Sequence, residues 1–323
     1  MAKKALTAEG ARHRMSHAAA NDFVHDGPHK GRRVAARPGH DIIECEACGF
    51  KHALPLPSTG DLERAYRDDY YASEKPTFLA HAGEDQAWAQ LAQTDRLEIF
   101  ESLLPPDRRR LLDIGCGPGF FLETAMRRGW HAHGIEPSRQ AAAHARGLGA
   151  SVNEGFFNRE SADALGRFDV VHLNNVLEHI PDPARLIALA HGLLEGGGVI
   201  CVNVPNDFSP LQIAGMGATQ TNDWWVAPPH HLNYFDFESL ANLLTREGFT
   251  ATARTTSFPM EAFLMMGENY VGDAVLGRAC HNKRKKFDLA FEAAGLKETR
   301  RAFYRALAEA GLGREAVVIA VKR

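Results

Sequence analysis

The sequence predicts an α/β chain built on a seven-stranded, mostly parallel sheet with helices on both faces. A small cysteine-bearing module precedes the sheet, and a helical insertion interrupts it near the C-terminus. Three observations carry this reading. Short β-type apolar runs alternate with helical periodicity from about residue 110 to 258, a glycine-rich turn follows the first run, and a CxxC lies ahead of the alternation.

Residues 1 to about 40 are rich in Ala, His, Gly, Lys and Arg and lack apolar periodicity, so they read as a largely disordered tail. The basic start has no apolar run behind it, which gives no secretory signal. No stretch reaches the ~20 apolar residues that span a bilayer. The expected location is cytoplasmic, with no membrane partner. Residues 41–85 form the CxxC module and a linker helix at 61–73. A long helix is expected over 86–104, where Trp88, Leu91, Ala92, Ile99 and Leu103 recur at helical spacing and Pro105-Pro106 stop it. Strands are expected at 110–114, 131–135, 150–153, 168–173 and 198–204, and helices at 119–128, 138–147, 182–194 and 236–247. Strands at 254–258 and 316–321 complete the sheet. The core thus runs over 86–258, the insertion over 259–313, and 314–323 return the last strand to the sheet.

Apolar residues make up 45% and charged residues 24% of the 323, which is ordinary for a folded domain. A net charge of −3 gives no reason to expect a nucleic-acid partner. Five cysteines, only two of them closely spaced, do not make a disulfide framework. The oligomeric state is not readable.

The strongest motif is Leu111-Leu112-Asp113-Ile114-Gly115-Cys116-Gly117-Pro118-Gly119-Phe120. An apolar strand enters a turn with glycine at every second position and leaves it as a helix. Glycine permits the sharp turn and a close ligand approach, and the helix start offers unpaired N–H groups. A dinucleotide fingerprint has a different glycine spacing and places those N–H groups on a pyrophosphate. Asp113 would repel a diphosphate and suits a cationic amino-acid ligand instead. Seventeen residues after Gly119, Glu136 ends the next strand, where a carboxylate can accept both hydroxyls of a ribose. Ser138 can cap the following helix. A third block, Phe168 to His179, reads as the fourth strand and its following loop.

These blocks, in this order, resemble class I S-adenosylmethionine (SAM)-dependent methyltransferases, whose Rossmann-like sheet matches the pattern above. The likeness covers roughly 110–258. It implies that Asp113, Gly115, Cys116, Gly117, Gly119 and Phe120 hold the amino-acid part of SAM. It further implies that Glu136, with Pro137 and Ser138, holds the ribose, that Gly155 and Phe156 lie near the adenine, and that Asn174, Asn175 and Val176 line the floor near the sulfur. The competing reading is a dehydrogenase or glycines used only for packing.

Ligands of open α/β sheets bind beyond the carboxyl ends of the strands. The segment 207–235 at that end is longer than a connection requires and is expected to be an acceptor loop. Asn206, Trp224 and Trp225 are candidate acceptor-binding residues. A general base is wanted for a hydroxyl acceptor, and histidine suits it. His230, held behind Pro228-Pro229, ranks first, His179 second, and His231 and Tyr234 complete the catalytic candidates. The segment resembles the P-x-H-x-x-x-F element of many bacterial small-molecule methyltransferases, which precedes a helix ending in Gly-Phe (here Gly248-Phe249). The Asn/Asp-Pro-Pro-Tyr pattern of adenine methylation is absent after the fourth strand, where the chain reads Asn174-Asn175-Val176-Leu177.

Cys45 and Cys48 have the spacing of half a zinc ribbon, and tetrahedral zinc needs four ligands. His25 and His29 could supply the others, with His52 or His40 as further candidates; two cysteines packed in a turn is the plain alternative. The region resembles the cysteine-rich front segment of bacterial sugar-pathway methyltransferases, from which this chain departs by lacking the full cysteine set. In the insertion, the run 281–286 reads as a solvated helix face or a clamp for an anionic acceptor. The reading is a methyltransferase acting on a small-molecule hydroxyl of a sugar, glycan precursor or secondary metabolite. Sugar C-methylation and a non-catalytic SAM sensor are the alternatives.

Overall fold

The computed structural model describes residues 23–57 and 78–323. The helix expected at 61–73 and the first 22 residues lie outside the described residues.

The chain opens with four antiparallel strands, β1 (Phe23–Asp26), β2 (His29–Arg37), β3 (His40–Cys45) and β4 (Lys51–Leu54). Helix α1 (Phe78–Leu103) leads into the core, where β5 (Arg110–Ile114), α2 (Phe120–Arg127), β6 (His131–Glu136), α3 (Arg139–Gly147), β7 (Ser151–Glu154), α4 (Arg159–Asp163) and β8 (Phe168–Asn174) alternate. Helix α5 (Pro183–Leu193), β9 (Leu194–Pro205), α6 (Pro210–Thr219), the two-residue β10 (Asn233–Tyr234), α7 (Phe237–Arg246) and β11 (Phe249–Thr255) follow. The insertion is α8 (Glu261–Met265), α9 (Ala274–Ala293) and α10 (Lys297–Glu309), and β12 (Glu315–Lys322) ends the chain.

The main sheet has seven strands in the order β11-β12-β9-β8-β5-β6-β7. Strand β12 runs antiparallel to both of its neighbours, and β5 to β9 are mutually parallel. This is the Rossmann-like sheet the sequence predicts. Helices cover both faces, which is why β8 is buried along almost its whole length and reads as one apolar run. The chain leaves β5 toward β6 on one side and reaches β8 on the other, so a crevice opens at their carboxyl ends.

Several boundaries differ from expectation. The strand expected at 254–258 lies at 249–255, because Gly248 (φ 91°) ends α7 and the threonine-rich stretch behind it pairs with β12 at once. The segment 207–235 is not all loop. Ser209 caps α6 with a reciprocal bond from Gln212, and β10 joins another sheet.

Residues 23–40, which read as unstructured in the sequence, form β1 and β2 and open β3. Their order comes from long-range pairing that no local periodicity reveals. Gly31 of β2 lies so close to β3 that a Cβ would stand 2.0 Å from the Glu44 carbonyl oxygen. Arg32 and Arg33 answer Glu44 and Asp41 on β3 at 2.8 and 3.2 Å. The small sheet has the order β1-β2-β3-β4-β10, so its last strand comes from the expected acceptor loop, some 180 residues onward. Phe50 and Cys48 pack into the main core beside Phe235, and Arg246 of α7 donates to the Cys48 carbonyl.

Much of the basic run in α9 is paired within the molecule. His281 and Lys285 bind Asp85, Lys283 binds Glu268, and Arg284 stacks 4.7 Å from the Trp88 ring. The contacts to Asp85 and Trp88 tie the insertion to α1, and together these pairings oppose an anion clamp.

Candidate active site

A cavity of about 410 Å³ opens at the carboxyl ends of β5, β6 and β8. Gly115 and Gly117 turn the chain from β5 toward α2 at φ 69° and 52°, a region that side chains rarely adopt. A Cβ on Gly115 would lie 2.7 Å from Val176. Gly119 serves packing instead. A Cβ there would meet the Ala145 Cβ at 2.5 Å, so this glycine lets α2 pack against α3. Of the residues expected to hold a cofactor, Asp113, Gly115, Cys116, Gly117, Phe120, Glu136, Pro137, Gly155, Phe156, Asn174, Asn175 and Val176 line the cavity. Gly119 and Ser138 stand behind the lining; Ser138 caps α3 through the Ala141 N–H.

Glu136 is buried, and its carboxylate accepts the Gly117 N–H at 2.9 Å and the Ser138 N–H at 2.8 Å, one on each oxygen. Burial pushes this carboxyl up to about 7 against those two donors. Burial, with the nearby Asp113 and Glu136 carboxylates, raises the Cys116 thiol strongly, so it stays protonated and unreactive.

Below the cavity lies a network that sequence reasoning does not find. Arg96 on α1 donates to His172 Nε2 at 3.2 Å and to Asn174 Oδ1 at 2.8 Å. A guanidinium only donates, so His172 Nε2 must accept, and Nδ1 carries the proton given to Asp113 at 2.7 Å. Burial lowers the His172 pKa, which fits a neutral ring. Asn203 fixes Asn174 from β9 at 2.8 Å. The cavity thus presents an arginine, an aspartate and a glutamate on rigid elements. The only signal in the sequence is one histidine and one arginine interrupting apolar patterns.

The acceptor-side candidates divide. His179 lines the cavity from a 3-10 turn, Leu177–His179, directly after β8. Its Nδ1 donates to the His230 carbonyl at 2.6 Å, so in the neutral ring Nε2 bears the lone pair, 3.7 Å from the buried Glu178 carboxylate. The His231 ring stands edge-on to it at 5.0 Å. His230, ranked first on sequence, does not line the cavity. The turn at 228–230 exposes its side chain, and its backbone carbonyl does the positioning. Asn206 donates to the Gly311 and Gly313 carbonyls and anchors the approach to β12. Tyr234 is buried and closes the loop on itself, its hydroxyl donating to the His231 carbonyl and accepting the Ala227 N–H. Trp224 and Trp225 pack with Ile42 and Ala53 of the small sheet instead of facing an acceptor. Tyr234 and the two tryptophans stand outside the cavity lining for one reason. The small sheet, invisible in the sequence, claims the outer face of the loop.

One backbone bond and two from the Asn233 side chain hold that loop over the 3-10 turn. The Leu232 N–H donates to the Glu178 carbonyl at 2.7 Å, and the Asn233 amide donates to the Leu177 and Ile180 carbonyls, both at 2.7 Å. Within the small sheet, Cys45 and Cys48 meet His29 and His52. His25 lies in β1, with its side chain outside the described residues, and His40 begins β3 on another part of the sheet.

A family model described as a methyltransferase domain matches residues 84–254, just over half of the chain. The ubiquinone biosynthesis O-methyltransferase of Ralstonia nicotianae is 35% identical over 112 residues, 32% of this chain and 46% of that protein. The enzyme of the same name from Xanthomonas axonopodis pv. citri is 31% identical over 155 residues, 46% of this chain and 64% of that protein. The chain spans about half the length of the curated relatives it matches. Among solved structures, a SAM-dependent methyltransferase from Archaeoglobus fulgidus aligns over 79% of this chain and all of its own, with 20% identity and a TM-score of 0.49. The match of the family model, over the segment that builds the glycine turn, Glu136 and the 3-10 turn, assigns the chain to the methyltransferase-domain family, of which it is a member.

Proposed function

We propose that this protein transfers the methyl group of SAM to a hydroxyl of a small-molecule acceptor. The observation that carries the cofactor is the bond from Gly117 N–H to Glu136. It uses up a donor that a pyrophosphate would need and sets a buried carboxylate in the same place, which opposes a dinucleotide and favours a ligand with a ribose and no phosphate. Glu136 retains lone pairs on both oxygens for the two ribose hydroxyls. Arg96 suits the carboxylate of the amino-acid part and Asp113 its ammonium. Bound there, SAM supplies an electrophilic methyl on a sulfonium. His179 takes the proton from the acceptor hydroxyl at Nε2, and the Glu178 carboxylate stabilises the imidazolium that forms. The curated relatives are named as O-methyltransferases, which supports a hydroxyl acceptor over nitrogen or carbon.

The test is calorimetry with SAM and NADH. SAM should bind and NADH should not. The free protein holds a proton on Glu136 below about pH 7, and accepting two hydroxyls favours the ionised form, so binding must release that proton. Affinity should therefore fall as pH drops through this range, by at most roughly tenfold per pH unit for one linked proton. Glu136→Gln should bind more weakly and flatten the dependence. Equal SAM affinity across the range in the native protein would sink the assignment of Glu136.

A further inference from the structure

We infer that His29, Cys45, Cys48 and His52 bind one zinc ion that locks the small sheet and, through it, the acceptor loop. The four residues come from three places: His29 begins β2, Cys45 ends β3 with Cys48 in the turn behind it, and His52 lies in β4. Their ligand atoms all lie within 4.8 Å of one another. His29 Nδ1 is 3.8 Å from the Cys45 sulfur and 3.4 Å from the Cys48 sulfur. Tetrahedral zinc with bonds of about 2.3 Å to sulfur and about 2.0 Å to nitrogen separates its ligands by roughly 3.3–3.8 Å. The cluster needs only small side-chain movements to close on the ion.

His52 supplies the second, independent observation. It is 1% exposed, and its Nδ1 donates to the Ala53 carbonyl at 3.0 Å, which fixes the tautomer with the lone pair on Nε2. That Nε2 is buried with no hydrogen-bond partner. A buried imidazole acceptor left unsatisfied is costly, and a metal ion answers it. The Nδ1 bond to a backbone carbonyl is the outer support that zinc-bound histidines commonly carry. The four-ligand set leaves no open coordination position, which makes the role structural.

The placement says what the ion would hold. Strand β4 pairs with β10, with His52 opposite Asn233. Asn233 in turn grips the 3-10 turn that carries His179. One ion joining β2, β3 and β4 thus braces the acceptor side of the cavity and leaves the glycine turn untouched.

The experiment is elemental analysis of the full chain purified without chelator, joined to cobalt substitution. About one equivalent of zinc per chain is expected, and the cobalt form should show tetrahedral visible bands with thiolate charge-transfer absorption. Cys45→Ser and His52→Ala should each lose the metal, and His25→Ala should keep it. If a variant fails to fold, the native protein treated with a strong chelator answers the same question. It should lose zinc and melt at a lower temperature, and added zinc should restore both. Metal-free protein with reduced thiols, a Cys45–Cys48 disulfide, or a His52→Ala protein that keeps its zinc while His25→Ala loses it would each overturn the assignment.

Discussion

Replacing His179 by alanine should lower kcat by about 10²–10⁴ and leave the affinity for SAM unchanged, because only the transition state uses a general base. The expectation rests on position. His179 lines the cavity, its tautomer is set by the His230 carbonyl, and a buried carboxylate lies 3.7 Å from Nε2. His230→Ala retains the carbonyl that positions His179 and changes a side chain that does not line the cavity, so it should turn over within about threefold of the native rate, an effect worth under ~0.7 kcal/mol. A dead His230→Ala enzyme beside an active His179→Ala enzyme would transfer the role back to the residue that ranks first on sequence alone.

Gly117→Val should abolish SAM binding, with a loss beyond about a hundredfold, or roughly 3 kcal/mol. Two effects add. A β-branched residue at φ 52° is strained, and its side chain would project into the lining that the ligand must touch. The strain of ~1–3 kcal/mol is small enough for the fold to survive. Gly119→Val is the contrasting case. Its side chain would collide with Ala145 between α2 and α3, so its main effect should be a fall in melting temperature. Melting curves and calorimetry on the two variants separate the roles. Equal SAM affinity in the native protein and Gly117→Val would remove the glycine turn from the binding site.

The contrast between these glycines also marks what the sequence makes legible. Strand β5 and its turn obey local rules, an apolar run followed by glycines and a helix start, so their place and their ligand class follow from a short stretch of chain. The alternation of short strands and helices is likewise local in origin, and the predicted boundaries fall within a few residues of β5, β6, α2 and α3. The small sheet is not local. Strand β2 holds arginines where a strand usually holds apolar residues, and β10 is two residues long and finds its partner about 180 residues away. Without that sheet, the packing of Trp224, Trp225 and Tyr234 away from the cavity lining cannot be foreseen, because each packs with it. The Arg96–His172–Asp113 network hides for the same reason: its members lie 76 and 59 residues apart and meet only when α1 packs across β5 and β8. Conversely, His52 is one candidate among several in the sequence, and the pairing of β4 with β3, which sets it beside Cys45 and Cys48, selects it.

A crystal structure of the protein with S-adenosylhomocysteine tests the central claim most directly. The ligand should occupy the cavity between the glycine turn and the 3-10 turn, with its ribose hydroxyls on the Glu136 carboxylate, its amino-acid end between Asp113 and Arg96, and its sulfur toward Asn174 and His179. Protein saturated with the ligand whose cavity stays empty, or a ligand bound with Glu136 facing no hydroxyl, would contradict the account.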